Sequence, residues 1–230
     1  VEGLPTGAEK TRRVREMFDT IAPRYELVND VMTLGLCARW RTRTVDALAL
    51  PAGSLVLDVA AGTGDLCEVA ARRGLQPLAF DLSMGMLHAT SSTAAAVQCD
   101  AAALPVATGA ADGVVCGFAL RNFTDLPAAL AEMARALRPG GRVALLEVGD
   151  PTGALTRAGY TAWFGHVVPL IGAALSDRDA YRYLPASVAY LPEPEALRDL
   201  LRGVGFSGVN RHLLTGGLSQ LFTATRAGRP

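Results

Sequence analysis

The sequence predicts an α/β fold: a doubly wound, mostly parallel seven-stranded sheet of the Rossmann-like kind, preceded by helices. Three observations predict it. From Ser54 onward, short apolar runs alternate with longer helical stretches, which is the pattern of a parallel sheet covered on both faces. The first run, "VLDVAAGTGDL" from Val56 to Leu66, passes straight into a glycine-rich turn, the strand-to-helix junction where such sheets meet ligands. Finally, 230 residues of which 50% are hydrophobic suffice for one sizeable core and hardly for two, so 1–230 reads as one domain.

Each element follows from local pattern. Glu9 to Thr20 is amphipathic, and in "APRYELVNDVMTLG" the residues Ile21, Tyr25, Val28 and Met32 recur at helical spacing. Residues 1–50 are therefore expected to form helices ahead of the first strand, placed as a lid over a substrate. Strands are expected in "SLVLDVA", "PLAFDLS", "AAVQCDA", "GVVCGFAL" and "RVALLEV", with helices over Asp65 to Arg73, Met84 to Ser91 and Asp125 to Arg138 between them. "RPGG" at Arg138 to Gly141 reads as a helix stop followed by a tight turn. After Asp150 the rhythm breaks into a helical insert near 154–189, followed by a helix from about Glu193 and two closing strands near Gly208 to Leu214 and Ser219 to Thr225.

Composition narrows the function classes. The formal net charge is zero and the basic residues, all arginine except Lys10, are interleaved with acids, so no nucleic-acid footprint is present. Cys37, Cys67, Cys99 and Cys116 lie far apart without zinc-ligand spacing; they read as reduced thiols of a cytoplasmic protein, and no metal is expected. The N-terminal stretch has charges but no apolar block, so it reads as neither signal peptide nor membrane span. "WFGHVVPLIGAAL" is too short and too broken by His166 and Pro169 to span a bilayer.

The glycine turn discriminates between ligands. A triphosphate loop needs Lys and Ser or Thr after its last glycine, whereas Gly64 is followed by Asp65. The dinucleotide fingerprint needs a third glycine, and Cys67 stands there, which disfavours a pyridine-nucleotide oxidoreductase. Asp81, ending the second strand, is placed to take both hydroxyls of a ribose. Asp100 and Ala101 supply a carboxylate and an amide where an adenine would lie, and Asp58 is placed to reach loop amides or a ligand amine. Either Asp58 or Asp81 alone also reads as a helix cap. Together the features describe a ligand with an adenosine and a charged amino-acid end but no phosphate: S-adenosylmethionine. The candidate cofactor-binding positions are Asp58, Ala60, Gly62, Thr63, Gly64, Asp81, Leu82, Met86, Asp100, Ala101 and Gly117.

"VREMFDTIAPRYELVNDVMTLG", "VLDVAAGTGDL", "DLSMGML", "ALRNFTDLPAALAEMARALRPGGRVALLE", "DAYRYLPASVAYLPE" and "LLTGG" together resemble the quinone C-methyltransferase family, which includes demethylmenaquinone and ubiquinone methyltransferases. The resemblance spans about Val14 to Gly217. It implies cofactor contacts at Thr63, Asp81, Asp100 and Ala101, and at Gly117, where the family usually has serine and only backbone is on offer. It also implies conversion of S-adenosylmethionine to S-adenosylhomocysteine. Departures fall elsewhere: "LSQLFTATR" from Leu218 to Arg226 lacks the histidine and arginine of the family's closing segment, "LEVGDP" replaces "LEFS-x-P", Ala119 replaces a glycine, and Glu26 replaces an aspartate.

The implied reaction is methylation of a small aromatic acceptor on carbon: demethylmenaquinol, a related prenylated quinol, or another aromatic metabolite. A homologue that binds the donor without methyl transfer is the other reading. A hydroquinone carbon becomes nucleophilic as its ortho hydroxyl loses a proton, so a positive charge or base should lie nearby. Arg121, in "LRN" at the carboxyl edge of the sheet, either stabilises phenolate character or pairs with an acid. His166 matches a histidine of some family members and is a side-chain base at neutral pH, or a packed helix histidine. Tyr25 and Tyr181 read as ring or hydroxyl contacts or as ordinary core aromatics. Asn122 reads as holding its turn, and Asp177 and Asp179 as helix caps or site residues. A prenylated acceptor would call for an apolar channel between the insert and the N-terminal helices, and for an encounter with a membrane surface.

Overall fold

The computed structural model of the chain describes residues 6–153, 157 and 187–228. Its sheet contains β1 (Leu55–Val59), β2 (Gln76–Asp81), β3 (Ala95–Gln98), β4 (Ala111–Gly117), β5 (Leu137–Val148), β6 (Phe206–Leu214) and β7 (Ser219–Arg226) in the order β3-β2-β1-β4-β5-β7-β6. The first five strands pair in parallel, while β7 runs antiparallel to both β5 and β6. The chain crosses from one half of the sheet to the other between β1 and β4, which opens a crevice at their carboxyl ends.

Strand alternation divides the core between the two faces. Leu57, Val59, Val114 and Leu145 pack with Leu130 and Met133 of α6 (Leu126–Ala136) and with Leu197 and Leu201 of α7 (Pro194–Gly203). Val56, Val115, Ala144 and Leu146 face the other way, against Cys37 and Trp40 of α3 (Leu36–Asp46) and Leu66 and Val69 of α4 (Asp65–Arg72). Capping fixes where helices begin. Asp125 Oδ1 accepts the Ala128 N–H at 2.9 Å ahead of α6, and Ser83 Oγ accepts the Met86 N–H at 3.0 Å ahead of α5 (Met84–His88).

The amphipathic N-terminal segment is α1 (Gly7–Ile21), followed by a 3₁₀ turn at Ala22–Arg24 and α2 (Tyr25–Thr33). Ile21, Ala22 and Met86 form a small apolar cluster with Met17, Phe18 and Tyr25, which seats α1 on α5. The "RPGG" segment differs from expectation. β5 is continuous from Leu137, and three extra residues form an irregularity: Leu137 stands opposite Ala111, but Arg142 stands opposite Gly113. The insert near 154–189 falls mostly outside the described residues; at its end lies a 3₁₀ turn over Val188–Tyr190.

Candidate active site

A cleft of about 790 Å³, counted to its open mouth, lies at the carboxyl ends of β1, β2 and β4, with α1 as one wall. Ala60 and Gly62 follow β1, Asp81 ends β2 with Leu82 and Met86 after it, Asp100 and Ala101 follow β3, and Gly117 ends β4; all eight line it, and so does Tyr25. The fold therefore joins most of the residues that sequence reasoning selected. Two non-glycine residues of the wall, Ala60 and Phe118, hold left-handed φ of 59° and 57°, a cost of about 1–3 kcal/mol each that the surrounding structure sustains.

The glycine turn is tied to the acid of the second strand. Asp81 Oδ2 accepts the Gly62 N–H at 2.8 Å, and its Oδ1 accepts the Ser83 N–H at 2.8 Å. A carboxylate oxygen accepts more than one hydrogen bond, so both atoms retain capacity for ligand hydroxyls. Burial pushes the Asp81 carboxyl up, opposed by these backbone donors. Asp100 is exposed, and its Oδ1 accepts the Ala102 N–H at 2.9 Å in a local turn. Glycine is required at 64: φ is +86°, and a Cβ would stand 2.5 Å from Thr90 Oγ1. A Cβ at Gly62 would meet nothing within 4 Å. At Gly117 it would press on Leu66 Cδ1 at 3.1 Å, so this chain's Leu66 fills space that a serine there would need.

Asp58, Thr63 and Gly64 do not line the cleft. Asp58 is 1% exposed, and its Oδ2 accepts from Cys67 Sγ at 3.3 Å. The carboxyl thus braces the start of α4, and burial pushes it up to about 7. Asp58 Oδ1, Thr63 Oγ1 and Glu26 Oε1 are buried without a hydrogen-bond partner. Arg41 reaches Asp65 at 2.5 Å and pulls its carboxyl down, but burial, helped by Glu26, holds it up at about 7. A buried polar atom left unpaired is costly, so three of them on and around one glycine turn point to a polar ligand group received there. Together with the open space at Gly62 and the residual capacity of Asp81, these residues fit an adenosine-containing, amino-acid-bearing donor.

Arg121 is not a free cation on the cleft wall. It is 6% exposed in the 3₁₀ turn Leu120–Asn122, its Nε donates to Ser187 Oγ at 3.1 Å, and its Nη1 donates to Glu147 Oε1. A buried guanidinium needs a counter-charge, and Glu147, fully buried at the end of β5, supplies it. The paired reading of Arg121 holds, with a buried acid rather than a surface one. Tyr25 stacks edge-on against Phe18, with ring centroids 6.0 Å apart, and burial raises its hydroxyl against the opposing pull of Asn29, Arg41 and Arg121. His166, Tyr181, Asp177 and Asp179 lie outside the described residues.

The model of the ubiE/COQ5 methyltransferase family matches residues 6–226. The chain belongs to this family. Curated relatives include a demethylmenaquinone methyltransferase of Roseiflexus sp. (strain RS-1), 39% identical over 98% of this chain and 98% of that one. A second, from Thermus thermophilus, is 39% identical over 91% of this chain and all of its own length. A third, the ubiquinone/menaquinone biosynthesis C-methyltransferase UbiE of Syntrophotalea carbinolica, is 37% identical over 93% and 94%. Solved structures share the fold at low identity. The [4+2]-cyclase SpnF aligns at TM-score 0.64 and 18% identity over 99% of this chain and 100% of its own. A possible histamine N-methyltransferase of Thermotoga maritima aligns at TM-score 0.61 and 18% over 93% and 99%.

Sequence reasoning missed the part of this family member's site built by α1: Thr11, Val14, Arg15 and Phe18 line the cleft. Their spacing marks one helical face, but nothing local says which surface that face meets. Ser83, Cys99, Phe118 and Phe123 were missed for a related reason, since each neighbours a residue singled out from the sequence and only the turn geometry aims it inward; Thr124 lies one residue further along the same turn.

Proposed function

We propose that the protein methylates a ring carbon of a prenylated quinol of the demethylmenaquinol type, with S-adenosylmethionine as donor. The observation that carries this reading is the bond between the Gly62 N–H and Asp81, which joins the glycine turn and the ribose-binding acid in one cleft with Asp100, Ala101 and Tyr25. Relatives named for demethylmenaquinone methylation, at 39% identity along nearly the whole chain, support the acceptor class. Asp81 would hold the ribose and Asp100 and Ala101 the adenine, and the amino-acid end would lie toward the glycine turn, behind whose wall Thr63, Asp58 and Glu26 keep unpaired atoms. When bound, the donor supplies an electrophilic methyl on a sulfonium.

The chain's own residues then have to place the acceptor and favour its ionised form. Val14, Phe18, Phe118 and Phe123 give the cleft an apolar wall for a ring. Because burial raises the Tyr25 hydroxyl, it stays protonated and serves as a donor to an acceptor oxygen acquiring negative charge. Arg121, locked by Glu147 and Ser187, contributes a fixed positive charge behind Tyr25 that need not reorganise during reaction. His166 is the side chain assigned to take the acceptor proton, tested by His166→Ala. An apolar tail would bring the protein to a membrane surface. Exposed Leu27, Val31 and Leu34 on and just after α2, the helix that starts with Tyr25, support such an approach, and no helix among the described residues is long and apolar enough to cross a membrane.

Incubation with methyl-labelled donor and a panel of reduced naphthoquinols, benzoquinols and phenolic metabolites, read by mass spectrometry, tests the proposal. Labelling of prenylated naphthoquinols above all others is expected. Preferential labelling of an unprenylated phenol would overturn the acceptor class, and donor binding with no labelled product would overturn the activity.

A further inference from the structure

Lys10 is the chain's single lysine, and it is 5% exposed on the inner face of α1. Its Nζ donates to the carbonyl of Arg121 at 3.0 Å and to that of Phe123 at 2.8 Å. The same ammonium stands 3.8 Å from the centre of the Tyr190 ring. These partners are 111 and 113 residues along the chain for the carbonyls, with Tyr190 beyond the insert. Thr11 Oγ1 meets Thr124 Oγ1 at 2.7 Å beside this contact, so two successive residues of α1 engage the segment after β4.

Arg121 anchors that segment through its side chain, but the segment's own backbone supplies little to fix it. Leu120–Asn122 is a single 3₁₀ turn, closed by the Asn122 N–H to the Ala119 carbonyl at 2.8 Å. A short turn leaves its last carbonyls unsatisfied, and the two that Lys10 takes bracket Asn122, a residue of the cleft wall. Packing alone does not explain a lysine here. A methionine would fill the same space without the desolvation that holds the Lys10 amine down to about 8. What only the ammonium provides is several charge-assisted donors from one atom, directed at two carbonyls and a ring face.

We propose that Lys10 is a positioning residue for the acceptor half of the site. Through the carbonyls of Arg121 and Phe123 it fixes the turn that carries Arg121 to Glu147 and sets Asn122 and Phe123 on the cleft wall; through Tyr190 it ties that turn to the chain returning from the insert. Lys10 makes no hydrogen bond to the glycine turn or to Asp81, so its effect falls on the acceptor side. The catalytic part of this inference rests on reading the cleft as the quinol site; the hold on the turn does not.

Lys10→Met keeps the stem and removes the donors, while Lys10→Arg keeps charge and donors. Three quantities are read: amide hydrogen exchange over 120–124 without substrate, donor Kd by calorimetry, and kcat and KM for the labelled quinol. For Lys10→Met, exchange over 120–124 is expected to quicken about tenfold or more. Donor Kd should stay within about twofold while kcat falls about tenfold or more, and Lys10→Arg should recover most of the loss. Unchanged exchange would overturn the proposal, as would a donor Kd that weakens in step with kcat, which marks a general loss of structure, or a normal kcat. Should Lys10→Met not fold, Lys10→Gln shortens the stem and removes the charge, so both carbonyl bonds cannot form at once; faster exchange confined to 120–124 supports the inference, and exchange like wild type overturns it. If the wild-type protein methylates no quinol, the reading of the site fails while the exchange comparison still decides whether Lys10 holds the turn.

Discussion

Replacing Asp81 with alanine probes the donor half of the cleft where its geometry is best defined. The carboxylate accepts the Gly62 and Ser83 amides at 2.8 Å each, one on each oxygen, which leaves acceptor capacity on both oxygens in the cleft lining. Losing a charge-assisted hydrogen bond to a ribose hydroxyl costs about 1.5–3 kcal/mol. That corresponds to roughly a 10- to 150-fold rise in Kd. The same change releases the two amides, so thermal stability should also fall, and part of the affinity loss will come through a looser glycine turn. Asp81→Asn separates these contributions, because its amide oxygen still accepts one backbone N–H while the charge is gone. Calorimetric titration of S-adenosylmethionine and S-adenosylhomocysteine into both variants, with folding confirmed by circular dichroism, is the assay. Asparagine should retain more stability than alanine yet still lose at least about tenfold in affinity. Donor Kd within about twofold of wild type in both folded variants would refute the assignment of Asp81.

Three further outcomes are expected. Arg121→Met strands a buried carboxylate, so stability should fall by about 3–5 kcal/mol; Arg121→Met with Glu147→Met should regain it in chemical denaturation, with turnover still at least about tenfold down and donor Kd unchanged. Full turnover in the double variant would make the pair purely structural. Asp58 is raised from 3.8 to about 7 by burial, so its contribution to stability is complete below about pH 4 and is lost as pH rises toward 7. Asp58→Asn should accordingly flatten the decline of Tm between pH 4 and 7, and parallel Tm curves for the two proteins would contradict that. Gly64→Ala meets Thr90 Oγ1 at 2.5 Å in a backbone with φ +86°, so a loss of about 2–4 kcal/mol is expected on thermal unfolding; a loss under about 1 kcal/mol would mean that the turn relaxes freely.

The cleft residues proposed to hold the donor were legible because they are written in short stretches. A strand, a glycine turn and a helix start occupy consecutive residues, and the acids that end β2 and β3 sit at fixed places in a parallel sheet, so Asp81, Asp100 and Ala101 fall into the cleft from pattern alone. Asp58 shows the limit: its position at the end of β1 was readable, but whether its carboxyl faces a ligand or the Cys67 thiol is decided by side-chain direction. The acceptor half is built from distant segments. Arg121 was found by its place after β4, while its partner Glu147 is 26 residues on and belongs to a strand read only as apolar. Lys10 and Thr11 are 111 to 113 residues from the carbonyls and hydroxyl they hold, a distance no periodicity spans. The helix periods of α1 and α2 were correct and the N-terminal helices were expected to close over a substrate, yet the period could not say that the face bearing Thr11, Val14, Arg15 and Phe18 lines the cleft.

Methylation on a ring carbon is tested most directly by where the methyl arrives. With [methyl-¹³C]-S-adenosylmethionine and a reduced, short-chain prenylated demethylnaphthoquinol, carbon NMR of the product should show the label as a methyl bonded to the ring carbon beside a hydroxyl, with one S-adenosylhomocysteine formed per labelled product. Label on oxygen, or a donor that binds and is never consumed, would contradict it.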